Sequence, residues 1–267
     1  SNLMKILKLG QMLGGSNSPS GTAYENLYSL TFDGVDDYVK FDDANVFTPN
    51  NSGGDRGFSF SFWFKAADPT SQRVLSKNSL FYSGATHYEY LITTDYADRI
   101  KIVLYAGDSI SNAITLRIDT ALSADAWYHI AFTWDLGATN ADLIGYVNGT
   151  AYSGALGNAT WTLTGSWSSV SNTNNLLEFA KDSGNYGAIQ LDEVALFDDE
   201  LSSGEVSAIY NSGTPTDLSG ESYLLGYWRN GDIDGTDVYP TIEDYSSEGN
   251  DGTMTNMASG DIVTDVP

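Results

Sequence analysis

Any chemistry in this chain must come from carboxylates, two histidines and aromatic side chains. Lys and Arg total 12 against 35 Asp and Glu, a formal charge of −23, and cysteine is absent. Disulfides, zinc–thiolate sites and cysteine nucleophiles are therefore excluded. Ser-His-Asp chemistry finds little support. His129 sits mid-strand among Trp127, Tyr128, Phe132 and Trp134, where a satisfied structural role is expected, and His87 lies in a loop without a nucleophile motif. The two histidines show no metal-ligand spacing. Retaining glycoside hydrolysis needs two carboxyls about 5 Å apart. Asp192 and Glu193 are adjacent, which on a strand aims them at opposite faces, while Glu89 and Glu178 are lone strand carboxylates.

Two binding chemistries remain. Acidic turns can supply the six to eight oxygens that calcium takes, although the same excess of acid also serves solubility. Sugar rings stack on aromatic faces while their hydroxyls take directed hydrogen bonds. The loops offer Tyr82, His87, Tyr88, Tyr96, Trp161, Trp167 and Tyr186 for this, with Asn172, Asn174 and Asn175 near them in sequence. Each of these aromatics could instead pack a hairpin. A strongly acidic surface repels nucleic acid and anionic membranes. No apolar run approaches the roughly 20 residues of a membrane span, so no membrane insertion is expected. A cleavable signal peptide is a poor reading of residues 3–13, because no sustained apolar core follows the lysines.

The elements that would position these groups are mostly strands. Phe58, Phe60, Phe62 and Phe64 alternate with Ser59, Ser61 and Trp63, and Tyr128, Ile130, Phe132 and Trp134 share a face opposite Trp127 and His129. Leu30 to Phe41 reads as a first strand around an acidic Gly turn. Further short strands are expected at 74–77, 88–93, 99–105, 116–118, 143–147, 176–180 and 223–228. Residues 153–175, rich in Gly, Ser, Thr and Asn, read as a long loop or loose hairpin. Ile189 and Leu191 begin a buried strand whose end, Val194-Ala195-Leu196-Phe197, is apolar on both faces and needs cover on each side. One short helix follows near 203–210. Ser202 and Glu205 form a capping box, Leu201 and Val206 a hydrophobic staple, and Asn211-Ser212-Gly213 with Pro215 ends it. Many strands with Gly-rich turns in 267 residues argue for one all-β, antiparallel sandwich. Residues 1–28 stand apart as an arm and linker, whose apolar 3–13 either docks on a partner or folds back; residues 29–267, including a wrapping segment 222–267, form the sandwich.

Several stretches resemble a known family. Ser29-Leu30-Thr31-Phe32-Asp33-Gly34-Val35-Asp36-Asp37-Tyr38-Val39 is similar to the opening strand of LamG-like, concanavalin A-like domains. Leu191-Asp192-Glu193-Val194, with Leu201-Ser202, Glu205-Val206 and Ile209-Tyr210, resembles their end. Trp127-Tyr128-His129-Ile130-Ala131, Gly145-Tyr146-Val147-Asn148-Gly149 and Gly249-Asn250-Asp251-Gly252-Thr253 fit the same pattern. The resemblance spans about residues 29–256 and implies a two-sheet jelly-roll sandwich. It also implies a calcium ion joining the first turn to the last strand, at Asp33 and Gly34 with Asp192; Asp36 and Asp37 match less well. The alternative is that Asp33 and Asp192 only satisfy turn N–H groups. Glycoside hydrolases of this fold carry a Glu-x-Asp-x-x-Glu triplet, which this chain lacks, so a non-enzymatic role is expected.

The stretches 209–219, 226–232 and 249–257 resemble LamG-like structural proteins of marine bacteriophages. That resemblance implies a virion surface or extracellular location, as a capsid decoration or tail-associated adhesin. Its partners would be other virion proteins, met through residues 3–13, further copies of itself, and cell-surface glycans. A free calcium-dependent lectin is the alternative.

Overall fold

The computed structural model describes residues 24–49, 57–79, 87–107, 109–221, 223–231 and 239–267. In chain order the strands are β1 (Ser29–Thr31), β2 (Tyr38–Phe41), β3 (Phe58–Lys65), β4 (Arg73–Ser79), β5 (His87–Thr94), β6 (Arg99–Ala106), β7 (Ser109–Ala121), β8 (Tyr128–Trp134), β9 (Leu143–Val147) and β10 (Thr150–Tyr152). They continue with β11 (Ala159–Thr164), β12 (Leu177–Phe179), β13 (Lys181–Asp182), β14 (Asn185–Tyr186), β15 (Gln190–Phe197), then helix α1 (Ser203–Tyr210), β16 (Leu224–Trp228), β17 (Thr241–Ile242), β18 (Gly252–Thr255) and β19 (Ile262–Val263).

Two antiparallel sheets form the sandwich. One runs β10-β9-β8-β3-β15-β1-β19, with β16 also paired to β15; the other runs β11-β7-β6-β5-β4-β12-β2-β18-β17. Between them lies the core, built by strand alternation. Phe58, Phe60, Phe62 and Phe64 all enter it, as do Tyr90, Ile92, Ile100, Ile102 and Leu104 from the facing sheet. Trp228, fully enclosed, meets the rings of Phe41, Phe47 and Phe179 at 4.5, 5.8 and 5.4 Å between centroids.

The helix covers the outer face of the first sheet. Val206 and Ile209 pack with Ala131, Tyr146, Ala195, Phe197 and Tyr227 in a second apolar cluster. This is why the end of β15 is apolar on both faces. The capping box is present: Ser202 accepts from the Glu205 N–H, and the Glu205 carboxylate accepts from the Ser202 N–H. Asn211 closes the helix in the left-handed region.

Three strand expectations are corrected. Leu30 to Phe41 is two strands in different sheets, because the turn after Phe32 crosses from one layer to the other. Asp33 Oδ1 accepts the N–H groups of Val35, Asp36 and Asp37 there, and Gly34, at φ +74°, lies so close to Ala188 that a Cβ would sit 2.8 Å from it. The Leu116–Ile118 run is the middle of a thirteen-residue strand, β7. Within 153–175, residues 159–164 form the edge strand β11, registered against β7; Ala159, Trp161 and Leu163 alternate with three threonines, a strand pattern set within a Gly-, Ser- and Asn-rich stretch.

Residues 24–28 already touch the sandwich. The Asn26 amide donates to Asp192 at 3.0 Å, and Arg229 donates to the Glu25 carbonyl at 2.6 Å. Residues 3–13 lie outside the described residues. Among the described residues no helix is long and apolar enough to cross a membrane.

Candidate functional site

A cleft of about 530 Å³ opens on the outer face of the nine-stranded sheet. Its floor follows from alternation. On β2, Val39 and Phe41 enter the core, which leaves Tyr38 and Lys40 outside; on β12, Leu177 and Phe179 enter it, which leaves Glu178 outside. Register then sets Lys40 opposite Glu178 and Glu178 opposite Ser76, a row across three strands. The β13–β14 hairpin forms one wall. Ser76 Oγ donates to the Lys181 carbonyl at 2.7 Å and holds that hairpin down. Lys181 Nζ donates to Glu178 Oε1 at 2.6 Å and stands 3.9 Å from the centre of the Tyr38 ring. Tyr186 flanks Tyr38 at 6.2 Å between rings.

Asn174, Asn175 and Leu176 form another wall. Their segment is fixed by a buried network. Glu89 accepts from the Thr173 N–H at 2.8 Å, from Thr173 Oγ1 at 2.6 Å and from Thr48 Oγ1 at 2.7 Å. Lys77 donates to Glu89, to Asp43 and to the Thr173 carbonyl. Asn78, next on β4, donates to Asp182 at 3.3 Å, while its own amide oxygen is enclosed without a partner.

Burial pushes the Glu178 carboxyl above its ordinary value, more than the Lys181 pairing lowers it. At Lys181 burial works against the charge, yet the hydrogen bond to Glu178 prevails and its pKa is raised. Burial also raises Asp182, against the pull of Arg73 at 3.6 Å. Both carboxylates are thus engaged by protein partners. The rest of the lining offers a ligand the Asn174 amide, the Tyr38 ring and lysine N–H donors, a set suited to hydroxyl-rich rings.

Of the sequence candidates, Tyr186 comes nearest this cleft, beside Tyr38 but not in its lining. Tyr88 is buried against Tyr105, 5.0 Å between rings. Tyr96 is 90% exposed on the turn between β5 and β6. Trp161 lies on β11, at the opposite edge of the sheet from β2, and Trp167 packs edge-on against Trp134 at 5.6 Å. The structure does not bring these together. Tyr82 lies outside the described residues, and so does the side chain of His87, whose backbone opens β5 opposite Ser79.

Asp33 and Asp192 do not meet either. Gly34 abuts Ala188, whereas Asp192 lies one position past the Leu30–Leu191 pair, on the order of 13 Å further along β15. Asp192 is wholly enclosed and accepts from Asn26 and the Glu193 N–H. The carboxylates that do cluster are Asp33, Asp36 and Asp37, with oxygens within 4.8 Å of one another, a donor set that suits a hard cation. Turn N–H groups hold Asp33 below its ordinary value, and burial raises Asp37. Asp192 and Glu193 sit at a bulge, with Glu193 at φ +49°. Tyr227 donates to Glu193 and Arg229 stands 3.6 Å from it, and both carboxylates are buried beyond reach of a substrate.

The model of the Laminin_G_3 family, in the concanavalin A-like lectin/glucanases superfamily, matches residues 33–207. The chain belongs to this family. Among solved structures, a candidate carbohydrate-binding protein from Bacteroides ovatus ATCC 8483 is similar, with 13% identity and a TM-score of 0.57 over 91% of this chain and 61% of that one. The chain thus spans about three fifths of that protein, and the likeness shows a shared fold. A heptameric SAP-like pentraxin from Limulus polyphemus matches at 12% identity and TM-score 0.46, over 70% of this chain and 84% of that one. Trypanosoma rangeli sialidase matches at 15% and 0.45, over 73% and 29%. No curated protein sequence matches the chain.

Sequence reasoning passed over Tyr38, Lys40, Asn78, Glu178 and Lys181 as a group. The outward positions of β2 and β12 were the available signal; the pairing that makes them neighbours is set by non-local register.

Proposed function

We propose that this LamG-like domain is a non-enzymatic carbohydrate-recognition module whose site is the cleft around Tyr38, Asn78, Asn174 and Lys181. The carrying observation is that one concave surface combines the Tyr38 ring with the side chains of Asn78, Asn174 and Asn175, while the carboxylates at it are tied up in ion pairs. Glu178 and Asp182 are thereby withheld from the acid-and-nucleophile roles of hydrolysis. The Bacteroides ovatus protein supports a saccharide ligand by analogy of fold.

Display on a virion surface, with residues 3–13 joining the module to virion proteins or to further copies, belongs to the same proposal and rests on the sequence resemblance. Calcium enters it as an ion at Asp33, Asp36 and Asp37, on the turn that runs directly into Tyr38.

The test is a glycan array probed with the full chain, with calcium and again with a chelator, alongside Tyr38→Ala and Asn174→Ala. Binding lost in both variants supports the cleft. Binding unchanged in both moves the site elsewhere, and identical signals with calcium and chelator remove the ion.

A further inference from the structure

We propose that the cleft selects an acidic oligosaccharide, one bearing uronate carboxylates or sulfate esters, and that Lys40 reads its charge. The proposal rests on the reading of the cleft as a saccharide site. It deepens that reading by naming the ligand class.

The argument is one of leftover charge. Three of the twelve lysines and arginines, Lys5, Lys8 and Arg56, lie outside the described residues, which leaves nine. Seven of these stand within 4.0 Å of a carboxylate: Lys65, Arg73, Lys77, Arg99, Arg117, Lys181 and Arg229. With acids outnumbering bases almost three to one, that is the expected fate of a cation here. Among the described residues only Lys40 and Lys101 have no such partner.

Both unpaired lysines stand on the same surface. Lys40 lines the cleft from β2. Lys101 alternates with the core residues Ile100 and Ile102 on β6, so it points out of the same sheet. Four strand spacings separate β2 from β6 in the order β6-β5-β4-β12-β2, on the order of 19 Å.

Lys40 cannot discharge itself on the nearest acid. Its register partner Glu178 is already bound to Lys181 at 2.6 Å. The trio Lys40, Glu178 and Lys181 therefore carries one excess positive charge, in a cleft whose remaining lining is uncharged: Tyr38, three asparagines, Leu176, Ser183 and Gly184. A neutral sugar would leave the ammonium with only the Glu178 carboxylate, whose charge it shares with Lys181. A ligand carboxylate or sulfate would give it a charge-assisted hydrogen bond, stronger than a neutral one. Lys101 is set apart from the cleft by the β13–β14 hairpin, which Ser76 holds down on the intervening β4, so Lys40 is the one unpaired cation that a ligand in the cleft meets.

The experiment titrates the full chain with tetrasaccharides of galacturonate, mannuronate and chondroitin sulfate. Each is paired with its neutral counterpart, the methyl ester, which for chondroitin sulfate is also desulfated. The expected result is that an acidic probe binds at least about tenfold more tightly than its neutral twin, a difference readily resolved by calorimetry. Lys40→Gln should abolish that preference with the circular dichroism spectrum unchanged. Lys101→Gln, on the far side of the β13–β14 hairpin, should leave the preference unchanged. If neutral probes bind as well as acidic ones, or Lys40→Gln keeps the preference, the charge selection is wrong and the saccharide site stands. If every acidic and neutral probe is silent, both readings fall.

Discussion

The Lys77 ammonium donates to the Glu89 carboxylate at 2.8 Å, and both side chains are wholly enclosed. Two ions out of water are tolerated only when every lone pair and proton finds a partner. Here Thr48, Thr173 and Asp43 complete the set, and through Thr173 the pair fixes the wall that carries Asn174 and Asn175. Lys77→Met would leave Glu89 buried without its cation. The expected loss is about 3–5 kcal/mol of stability in urea unfolding. Lys77→Met with Glu89→Gln should recover part of it, and a double-mutant cycle measures how much.

His129 lies under the helix, between the rings of Trp63 at 5.3 Å and Tyr210 at 5.9 Å, with Ser61 Oγ 2.9 Å from Nε2. Burial pushes its pKa down to about 3 from 6.5, so the folded chain holds the ring neutral. Below pH 6.5 the unfolded chain takes up a proton that the folded one refuses. Stability is therefore complete above that pH and falls as pH drops toward 3, by about 1.4 kcal/mol per unit from this residue. The unfolding free energy of the wild type should decline between pH 7.5 and pH 5 by about 2 kcal/mol more than that of His129→Gln. Equal declines would mean that the ring is not excluded from protonation.

Ser202 carries the helix start. Its oxygen accepts the Glu205 N–H at 3.3 Å, and Glu205 returns the contact to the Ser202 N–H at 2.7 Å. Ser202→Ala should cost about 1 kcal/mol, read as a lowered thermal midpoint. Since α1 covers β15 and β16, near-ultraviolet signals from Tyr227 should change before the strand signal does.

The fold was legible where local pattern and burial agree. The Phe58–Phe64 alternation, the both-face apolar run at Val194–Phe197 and the Ser202–Glu205 box each state their environment within a few residues. The cleft was legible only in part. Lys40 and Glu178 lie 138 positions apart in sequence, and only the β2–β12 register makes them neighbours. Aromatic content drew attention to Trp161 and Trp167, yet a tryptophan in a polar stretch reads the same whether it packs a hairpin or faces a ligand. Asp192 misled for a related reason. Its residue type suits calcium, but the register set it beside Ser29 and enclosed it.

Gly226 shows how closely the core is packed beneath β16. Trp228, two residues on along β16 and on the same face, folds its indole back over Gly226 before meeting Phe41 in the opposite sheet. A Cβ at position 226 would lie 2.2 Å from the far ring edge. That edge belongs to one of the largest enclosed side chains, and its Nε1–H is tied to the Asn250 carbonyl at 2.9 Å, so the ring has no free path away. Gly226→Ala should therefore cost about 1–3 kcal/mol through overpacking, with a shifted tryptophan fluorescence maximum. Trp228→Phe in the Gly226→Ala background should restore part of the loss by vacating the space the methyl needs. If the double variant is no more stable than Gly226→Ala alone, the clash is not with the indole.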